Sequence, residues 1–282
     1  MIKRNETNFE QKQTKSAKLH TIRNQALSLQ CTVEQEVKCV ICQRTDFFKV
    51  LPQGMIVTYT MIIVHDSKQF KKYKKMLKLS LKTALETHGK TKDTLYSLVE
   101  AIKVMENDEL VNAGKGANLT LTGTTECESA VYHVNTQDWA AITAVQNVIN
   151  PVFGAYKLLQ KSSNVSSPLS LGRIQPIFLS GHGAEQWCKD ENVPIFADTD
   201  EGHKTLKSEQ LWKTYTSLAK YEGSETKNHD TCGGIAFDLN TKQMYVATSS
   251  GGIFLKTPGL IEIHKQINKY YLFIYLFTYM LI

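Results

Sequence analysis

The sequence predicts a fold that mixes strands and helices, of the α/β or α+β class. β-Branched apolar runs of strand length alternate with segments whose apolar residues recur at helical spacing. A pair of short strand-like runs separated by a polar turn lies near the C-terminal end and predicts a β-hairpin. The 282 residues are 42% hydrophobic and 21% charged, which is typical of a globular protein with a sizeable core.

The first predicted elements are one strand and two helices. The apolar run 56–64 has the length of a buried strand. A helix is expected to begin near Asp66 or Ser67, either of which can cap it, and to stop near Gly89. The two helices carry apolar stripes at helical spacing, Phe70, Tyr73, Leu77, Leu81 and Ala84 in the first and Leu95, Leu98, Val99, Ile102 and Met105 in the second.

The middle of the chain alternates further strands with helices. Glycines punctuate residues 111–131 and predict short strands joined by tight turns. Asn150 can cap a helix, and Pro151 suits its first position because proline has no N–H to leave unpaired there. The other elements predicted here are a strand over 140–148, a buried strand over 174–179, and a helix that contains Trp187 and follows the turn at 181–183.

The C-terminal third begins with a polar stretch, residues 198–230. It contains one short predicted helix, with Leu211, Tyr215 and Leu218 on one face. Residues 223–230 have the composition of an exposed linker that a protease or self-cleavage can reach. The predicted hairpin follows, with strands near 233–237 and 244–248.

Thr231 stands between this linker and the hairpin, and it is a candidate nucleophile. A threonine hydroxyl needs a base, and the α-amine of a threonine at a chain terminus can serve because its pKa lies near 8. Thr231 is internal, so its hydroxyl must first attack the Asp230 carbonyl, form an ester and be released by water. On the short motif alone, a turn followed by a strand start is by far the better explanation of these residues.

Several segments in a fixed order resemble one enzyme family. They are NAGKGANLTLTG (112–123), ECESAV (126–131), LGRIQPIFLSGHGAEQW (171–187) and the stretch 230–259 that begins DTCGG and contains SSGG. Together they resemble the threonine-dependent asparaginase family of N-terminal nucleophile hydrolases, over roughly residues 60–259. The paired serines and the GRIxPxFLxGxGAxxW pattern look most like the endopeptidase branch of that family, threonine aspartase (taspase).

The resemblance implies a role for each residue that matches a family motif. Thr231 would be the nucleophile of a β-subunit released by cleavage at the Asp230–Thr231 junction. Ser250 would be a second catalytic hydroxyl that orients it. Substrate binding is implied for Asn112, Gly251 and Gly252. The chemistry requires no metal and no cofactor.

The resemblance also implies a fold and a division of the chain. The fold would be α+β, a four-layer αββα sandwich that is incomplete at the C-terminus. Residues 1–54, which are polar and weakly periodic, would form an irregular or disordered extension, and 55–259 the hydrolase domain. The α-subunit would end at Asp230 and the β-subunit begin at Thr231. Residues 260–282 form an apolar tail unlike the family, and Leu260 stands where the family has an arginine that pairs with the substrate carboxylate.

Three functions follow from these features. The first is a threonine-type endopeptidase that cleaves itself and then cuts protein substrates with acidic cleavage sites after aspartate, as a dimer of αβ units. The second is an isoaspartyl peptidase or asparaginase. The third is an inactive, truncated remnant that acts only as a binding protein, and Leu260 and the foreign tail favour it.

Other features argue against several further classes. The lysines of 68–82 indicate the solvated face of a helix rather than a nucleic-acid site, since no stacking aromatics accompany them. A lone CxxC, Cys39 to Cys42, supplies too few ligands for structural zinc. The first residues lack the apolar core of a signal peptide, and the apolar run 270–282 is too short for a membrane span. We therefore expect a cytoplasmic, possibly nuclear, protein with neither membrane nor nucleic-acid partners.

Overall fold

A computed structural model describes most of the chain beyond residue 66. The described ranges are 67–163, 169–197, 202–218 and 231–261, with the backbone alone for 67–70 and for three strands between 34 and 59. Three predicted features lie outside these ranges: Asp66, the linker 223–230 and the tail beyond residue 261. The structure does not test the predictions made for them.

The described elements are eight strands and five helices. The strands are β1 (Glu34–Cys39), β2 (Arg44–Val50), β3 (Met55–Tyr59), β4 (Cys127–His133), β5 (Trp139–Val145), β6 (Phe178–Ser180), β7 (Cys232–Asp238) and β8 (Met244–Ser250). The helices are α1 (Ser67–Thr91), α2 (Thr94–Glu106), α3 (Pro151–Ser162), α4 (Gly181–Asp190) and α5 (Leu206–Leu218). Among the described residues, no helix is both long enough and apolar enough to cross a membrane.

The strands form one sheet in the order β1-β2-β3-β7-β8-β4-β5-β6. Neighbouring strands are antiparallel except β5 and β6, which are parallel. Because β7 and β8 lie in the middle of the sheet, both edges of each are paired. The hairpin predicted near 233–237 and 244–248 is thus confirmed, and it occupies the centre of the fold.

Helices α2, α3 and α4 cover one face of the sheet, and α1 packs on α2. The main core lies between them, with Leu98, Ile102 and Ile142 fully buried. The opposite face of the central strands is buried too, in a separate apolar cluster that contains Ile235 and Met244. Burial on both faces explains why every residue of β7 is buried.

The periodicity of the first two helices predicted them well. Most of the apolar stripe residues of α1 and α2 are buried, with Leu77 at 2% and Leu98 at 0% exposure, and Leu95 is partly buried. The side chain of Phe70 lies outside the described residues. Helix α1 runs past Gly89 to Thr91, two residues beyond the predicted stop. Helices α4 and α5 contain Trp187 and Tyr215, as predicted.

Three further segments differ from the sequence predictions. Residues 1–54, predicted irregular, contain strands β1 and β2. Residues 111–126 form no extended strand but an isolated bridge between Leu119 and Thr125. The strand predicted as buried over 174–179 is reduced to β6, which is largely exposed because it lies at the edge of the sheet.

The start of α3 is capped differently from the prediction. Asn150 precedes the helix and Pro151 opens it, but the Asn150 side chain makes no capping bond and donates to Asn107 Oδ1 at 3.0 Å. The carboxylate Oε1 of Glu106 instead accepts from the backbone N–H of Val152 at 2.9 Å. A carboxylate from the end of α2 thus satisfies a free donor at the N-terminus of α3.

Glu106 is fully buried, and this burial raises the pKa of its side chain. Burial raises the pKa of its carboxyl to about 7, and bonds from neighbouring groups such as Val152 offset only part of the rise. A buried acid with a raised pKa favours the folded state while it is protonated. Its contribution therefore falls as the pH rises from its ordinary value of 4.5 to about 7, and is constant above that.

Replacing Glu106 by glutamine should remove this pH dependence, because glutamine keeps a carbonyl oxygen for Val152 but does not titrate. We expect the free energy of unfolding of the unsubstituted chain to lose on the order of 3 kcal/mol between pH 4.5 and 7 relative to Glu106→Gln. Urea denaturation at several pH values measures this, with Thr231→Ala in both chains to prevent the predicted self-cleavage. Parallel pH profiles in the two chains would contradict the assignment.

Candidate active site

Thr231 and Ser250 come together at one end of the central hairpin. In the register of β7 and β8, Cys232 pairs with Ser249, so the residue before β7 and the last residue of β8 are neighbours. Thr231 Oγ1 lies 3.2 Å from Ser250 Oγ, and the two residues are only 5% and 1% exposed. The sheet itself thus sets the distance between the two predicted catalytic hydroxyls.

The Ser250 hydroxyl is oriented by the chain that follows it. Its oxygen accepts a hydrogen bond from the backbone N–H of Gly252 at 3.0 Å. A serine hydroxyl has one proton and two lone pairs, so this bond leaves its proton and one lone pair for Thr231 and for substrate. Ser250 can therefore either donate to Thr231 Oγ1 or accept from it.

The two glycines after Ser250 are required by the packing of the chain itself. A Cβ on Gly251 would collide with Asn112 Oδ1 and with Ala117. Gly252 has φ +76°, and a Cβ there would lie 2.8 Å from Cδ of Lys256. These contacts explain both glycines without a ligand, and their role in substrate binding stays a prediction.

Two asparagine side chains hold the Gly252 carbonyl. Asn112 Nδ2 donates to it at 2.7 Å and Asn118 Nδ2 at 2.9 Å. The Asn112 carbonyl oxygen Oδ1 accepts from the backbone N–H of Asn118 at 2.9 Å, and the Asn112 backbone carbonyl accepts from Gly251 N–H at 2.8 Å. Asn112 therefore lies at the predicted site, while Asn118 is a member that the sequence interpretation missed although it stands in the same motif.

A buried ion pair lies on the other side of Gly252. Lys256 Nζ is 3.3 Å from Glu128 Oε1 and donates to the Glu126 carbonyl at 2.8 Å, and the side chains of Lys256 and Glu128 are both 0% exposed. Glu128 pairs with Ser250 in the register of β4 and β8. Glu128 and Lys256 both lie in segments that resemble the family, 126–131 and 230–259, but no local pattern links the two charges across the intervening sequence.

The thiol beside the predicted nucleophile belongs to the core. Cys232 follows Thr231, and because successive strand residues face opposite sides of the sheet, it packs in the main core with Cys127. Burial and the neighbouring Glu106 raise the pKa of the Cys127 thiol to about 12 and that of Cys232 well above its usual value. Thiols held in this form are poor nucleophiles, which leaves the Thr231 hydroxyl as the candidate at this strand start.

The structure brings most of the predicted site residues into one cluster. Asp230 lies outside the described residues, so the junction is described only from its Thr231 side. Within the described ranges, no group of three or more histidine, cysteine, aspartate or glutamate side chains is arranged to hold a metal ion. The predicted residues that meet in the cluster are Thr231, Ser250, Gly251, Gly252 and Asn112.

Comparison with known proteins gives the family. The family model for asparaginase matches residues 51–262. The chain belongs to the asparaginase family. Members of this family are hydrolases, and the match spans the whole cluster around Thr231 and Ser250.

Individual relatives agree with this assignment. The chain is 30% identical to the plant-type L-asparaginase of Pyrococcus furiosus over 178 residues, which cover 59% of this chain and 53% of the relative. It is 30% identical to the isoaspartyl peptidase/L-asparaginase of Mus musculus over 165 residues, 57% of this chain and 45% of the relative. It is 27% identical to the isoaspartyl peptidase of Escherichia coli over 164 residues, 58% and 49%. The chain thus matches about half the length of these relatives.

Lys256→Met should strongly destabilise the chain, because it leaves the Glu128 carboxylate buried without its cation. Loss of one partner of a buried pair typically costs about 3–5 kcal/mol. The double variant Lys256→Met/Glu128→Leu should recover much of this loss, since apolar side chains of similar size replace both charges. Urea denaturation of the unsubstituted chain, the two single variants Lys256→Met and Glu128→Leu, and the double variant forms a double-mutant cycle. If the changes in the free energy of unfolding simply add, the two side chains do not interact directly.

Proposed function

We propose that this chain is a threonine-type hydrolase of the asparaginase family that activates itself by cleavage between Asp230 and Thr231. The observation that carries the proposal is the buried Thr231–Ser250 hydroxyl pair, fixed by the central strands of a fold that belongs to this family. The strand start gives the nucleophile a rigid support, and the preceding residues 223–230 have the polar composition of a cleavable segment.

The self-cleavage step needs only the residues at the junction and water. Thr231 Oγ1 attacks the carbonyl carbon of Asp230, the C–N bond breaks, and the hydroxyl proton moves to the departing nitrogen. An ester now joins Asp230 to the Thr231 side chain. Water hydrolyses this ester, which returns the hydroxyl and leaves a carboxylate on Asp230 and a free α-amine on Thr231.

The new amine supplies the base that the mature site requires. A neutral α-amine can take the proton of Thr231 Oγ1 near physiological pH, since its pKa lies near 8. Ser250 is positioned to orient the hydroxyl during both reactions because its own oxygen is fixed by Gly252 N–H. In turnover, Thr231 Oγ1 would form an ester with the substrate acyl group, and water would release it.

The two faces of the central strands support a layered arrangement. One face carries helices, and the other is buried in its own apolar cluster. This pattern is what a four-layer αββα sandwich requires of its first sheet, and we include that arrangement and a dimer of αβ units in the proposal.

Small aspartate derivatives are the substrate class that the relatives favour. Their names describe hydrolysis of asparagine and of isoaspartyl peptides, two substrates that share an aspartyl β-acyl group. A second candidate, cleavage of proteins after aspartate, is favoured by the paired Ser249–Ser250 and by the segment 171–187, which resemble the endopeptidase branch. Leu260 bears on both, since it offers no charge to a substrate carboxylate.

Self-cleavage should convert the 282-residue chain into a fragment ending at Asp230 and a fragment beginning at Thr231. Thr231→Ala should abolish the cleavage because no attacking oxygen remains. Ser250→Ala should slow it about 100-fold or more, in the range of a lost proton-transfer or orienting group. A denaturing gel sampled over days measures both rates.

Thr241→Ala is the matched control, because Thr241 lies in the turn at the far end of the same hairpin. This variant should cleave itself at the same rate as the unsubstituted chain. An unsubstituted chain that stays intact throughout would contradict the proposal and leave the inactive binding protein as the better account.

The cleaved chain should hydrolyse an isoaspartyl dipeptide and asparagine faster than an ordinary peptide containing aspartate. Product formation followed by amine and ammonia detection gives the three rates, with the Thr231→Ala chain as the blank. Preferential cleavage of the ordinary peptide after its aspartate would overturn this preference and support the endopeptidase instead.

A further inference from the structure

Asn118 is linked to the candidate nucleophile through two intermediate residues, Gly252 and Ser250. It is 6% exposed, and its side-chain Nδ2 donates to the Gly252 carbonyl at 2.9 Å across 134 residues of sequence. Its backbone N–H donates to Asn112 Oδ1 at 2.9 Å, so the two asparagines form a connected pair. Both side chains converge on one carbonyl.

Gly252 needs such anchors because of its own conformational freedom. A glycine at φ +76° has no side chain to restrict it and can turn at little cost to other backbone angles. Its N–H must nevertheless point at Ser250 Oγ, where it donates at 3.0 Å. The peptide unit that carries this N–H joins Gly251 to Gly252, and it is held from both sides. The Asn112 backbone carbonyl accepts from Gly251 N–H at 2.8 Å, and the side-chain amides of Asn112 and Asn118 hold the Gly252 carbonyl.

We propose that Asn118 is a positioning residue: it holds Gly252 so that the Gly252 N–H orients the Ser250 hydroxyl toward Thr231 Oγ1. The chain of contacts runs from Asn118 Nδ2 to Gly252, from Gly252 N–H to Ser250 Oγ, and from Ser250 Oγ to Thr231 Oγ1 at 3.2 Å. The positioning stands on geometry alone, whereas its effect on self-cleavage rests on the proposed function.

The expected effect is a partial loss of rate. Without Asn118, Asn112 still donates to Gly252 at 2.7 Å, so the turn keeps one of its two amide anchors. A small misplacement of reacting groups costs up to about 100-fold in rate. We expect self-cleavage to slow by about 10- to 100-fold, less than for removal of the Thr231 hydroxyl.

Two variants of Asn118 separate positioning from folding. Asn118→Leu keeps the approximate size and removes the donor, and Asn118→Asp keeps the shape but places an oxygen against the Gly252 carbonyl. Both retain the backbone N–H that Asn112 accepts. The matched control is Asn135→Leu, because Asn135 also bridges two backbone groups, donating to the Lys242 carbonyl at 3.0 Å and accepting from Met244 N–H at 2.8 Å, at the far end of the hairpin.

The first measurement is independent of activity. Hydrogen exchange followed by mass spectrometry is compared in Thr231→Ala chains, for the segment 250–253 and for α2 as an internal reference. Both Asn118 variants should speed exchange in segment 250–253 and leave α2 unchanged, whereas Asn135→Leu should leave that segment unchanged. Unaltered exchange at 250–253, or an equal rise in α2, would overturn the positioning role.

The second measurement is the rate of self-cleavage with Thr231 present. Both Asn118 variants should slow it as stated, and Asn135→Leu should not. Cleavage of the Asn118 variants at the unsubstituted rate would overturn the role of Asn118 and leave the proposed function standing. Failure of the unsubstituted chain to cleave would overturn the proposed function and the rate effect, while the exchange result would still decide whether Asn118 positions the turn.

Discussion

The antiparallel pairing of β7 with β8 is the constraint on which the site depends. It joins Cys232 to Ser249 and so places the residue before one strand beside the last residue of the next, which brings Thr231 within 3.2 Å of Ser250. Both strands are flanked by others in the sheet, and both faces are buried. A nucleophile at the start of such a strand is held more rigidly than one in a loop would be.

Buried polar groups lie near Thr231 and Ser250 on both sides of the sheet. On the helical side, Glu106 reaches the start of α3, and its neighbours include the thiol of Cys232. On the other side of the Gly251–Gly252 turn, the charges of Lys256 and Glu128 are paired without exposure. Buried charges carry a desolvation cost, so a buried pair is weak evidence for stability as such. Its position beside Ser250 instead suggests that it fixes the geometry of the site.

The sequence predicts the elements whose signal is local and misses those that depend on distant contacts. Periodicity located α1 and α2, and the turn between two apolar runs located the central hairpin. The cap that Glu106 gives to α3 joins residues 46 apart, and the pair of Lys256 with Glu128 joins residues 128 apart. A periodic pattern of apolar residues predicts local structure and cannot predict contacts between residues so far apart in the sequence.

The same limit applies within the site. The motifs identified Thr231, Ser250 and Asn112 together, because their spacing resembles a known family. Asn118 stands only six residues after Asn112, yet its function becomes visible only when Gly252 is seen to accept from both side chains. The family resemblance assigns the paired glycines to substrate binding, whereas the contacts of Asn112, Ala117 and Lys256 already require them.

The central claim is that a hydrolase of the asparaginase family acquires its nucleophile by cutting its own chain before Thr231. N-terminal sequencing of the purified, untagged protein tests this most directly. We expect two termini after maturation, the original one and a second that reads Thr-Cys-Gly-Gly. A single terminus after prolonged incubation, or a second terminus at any other residue, would contradict the claim.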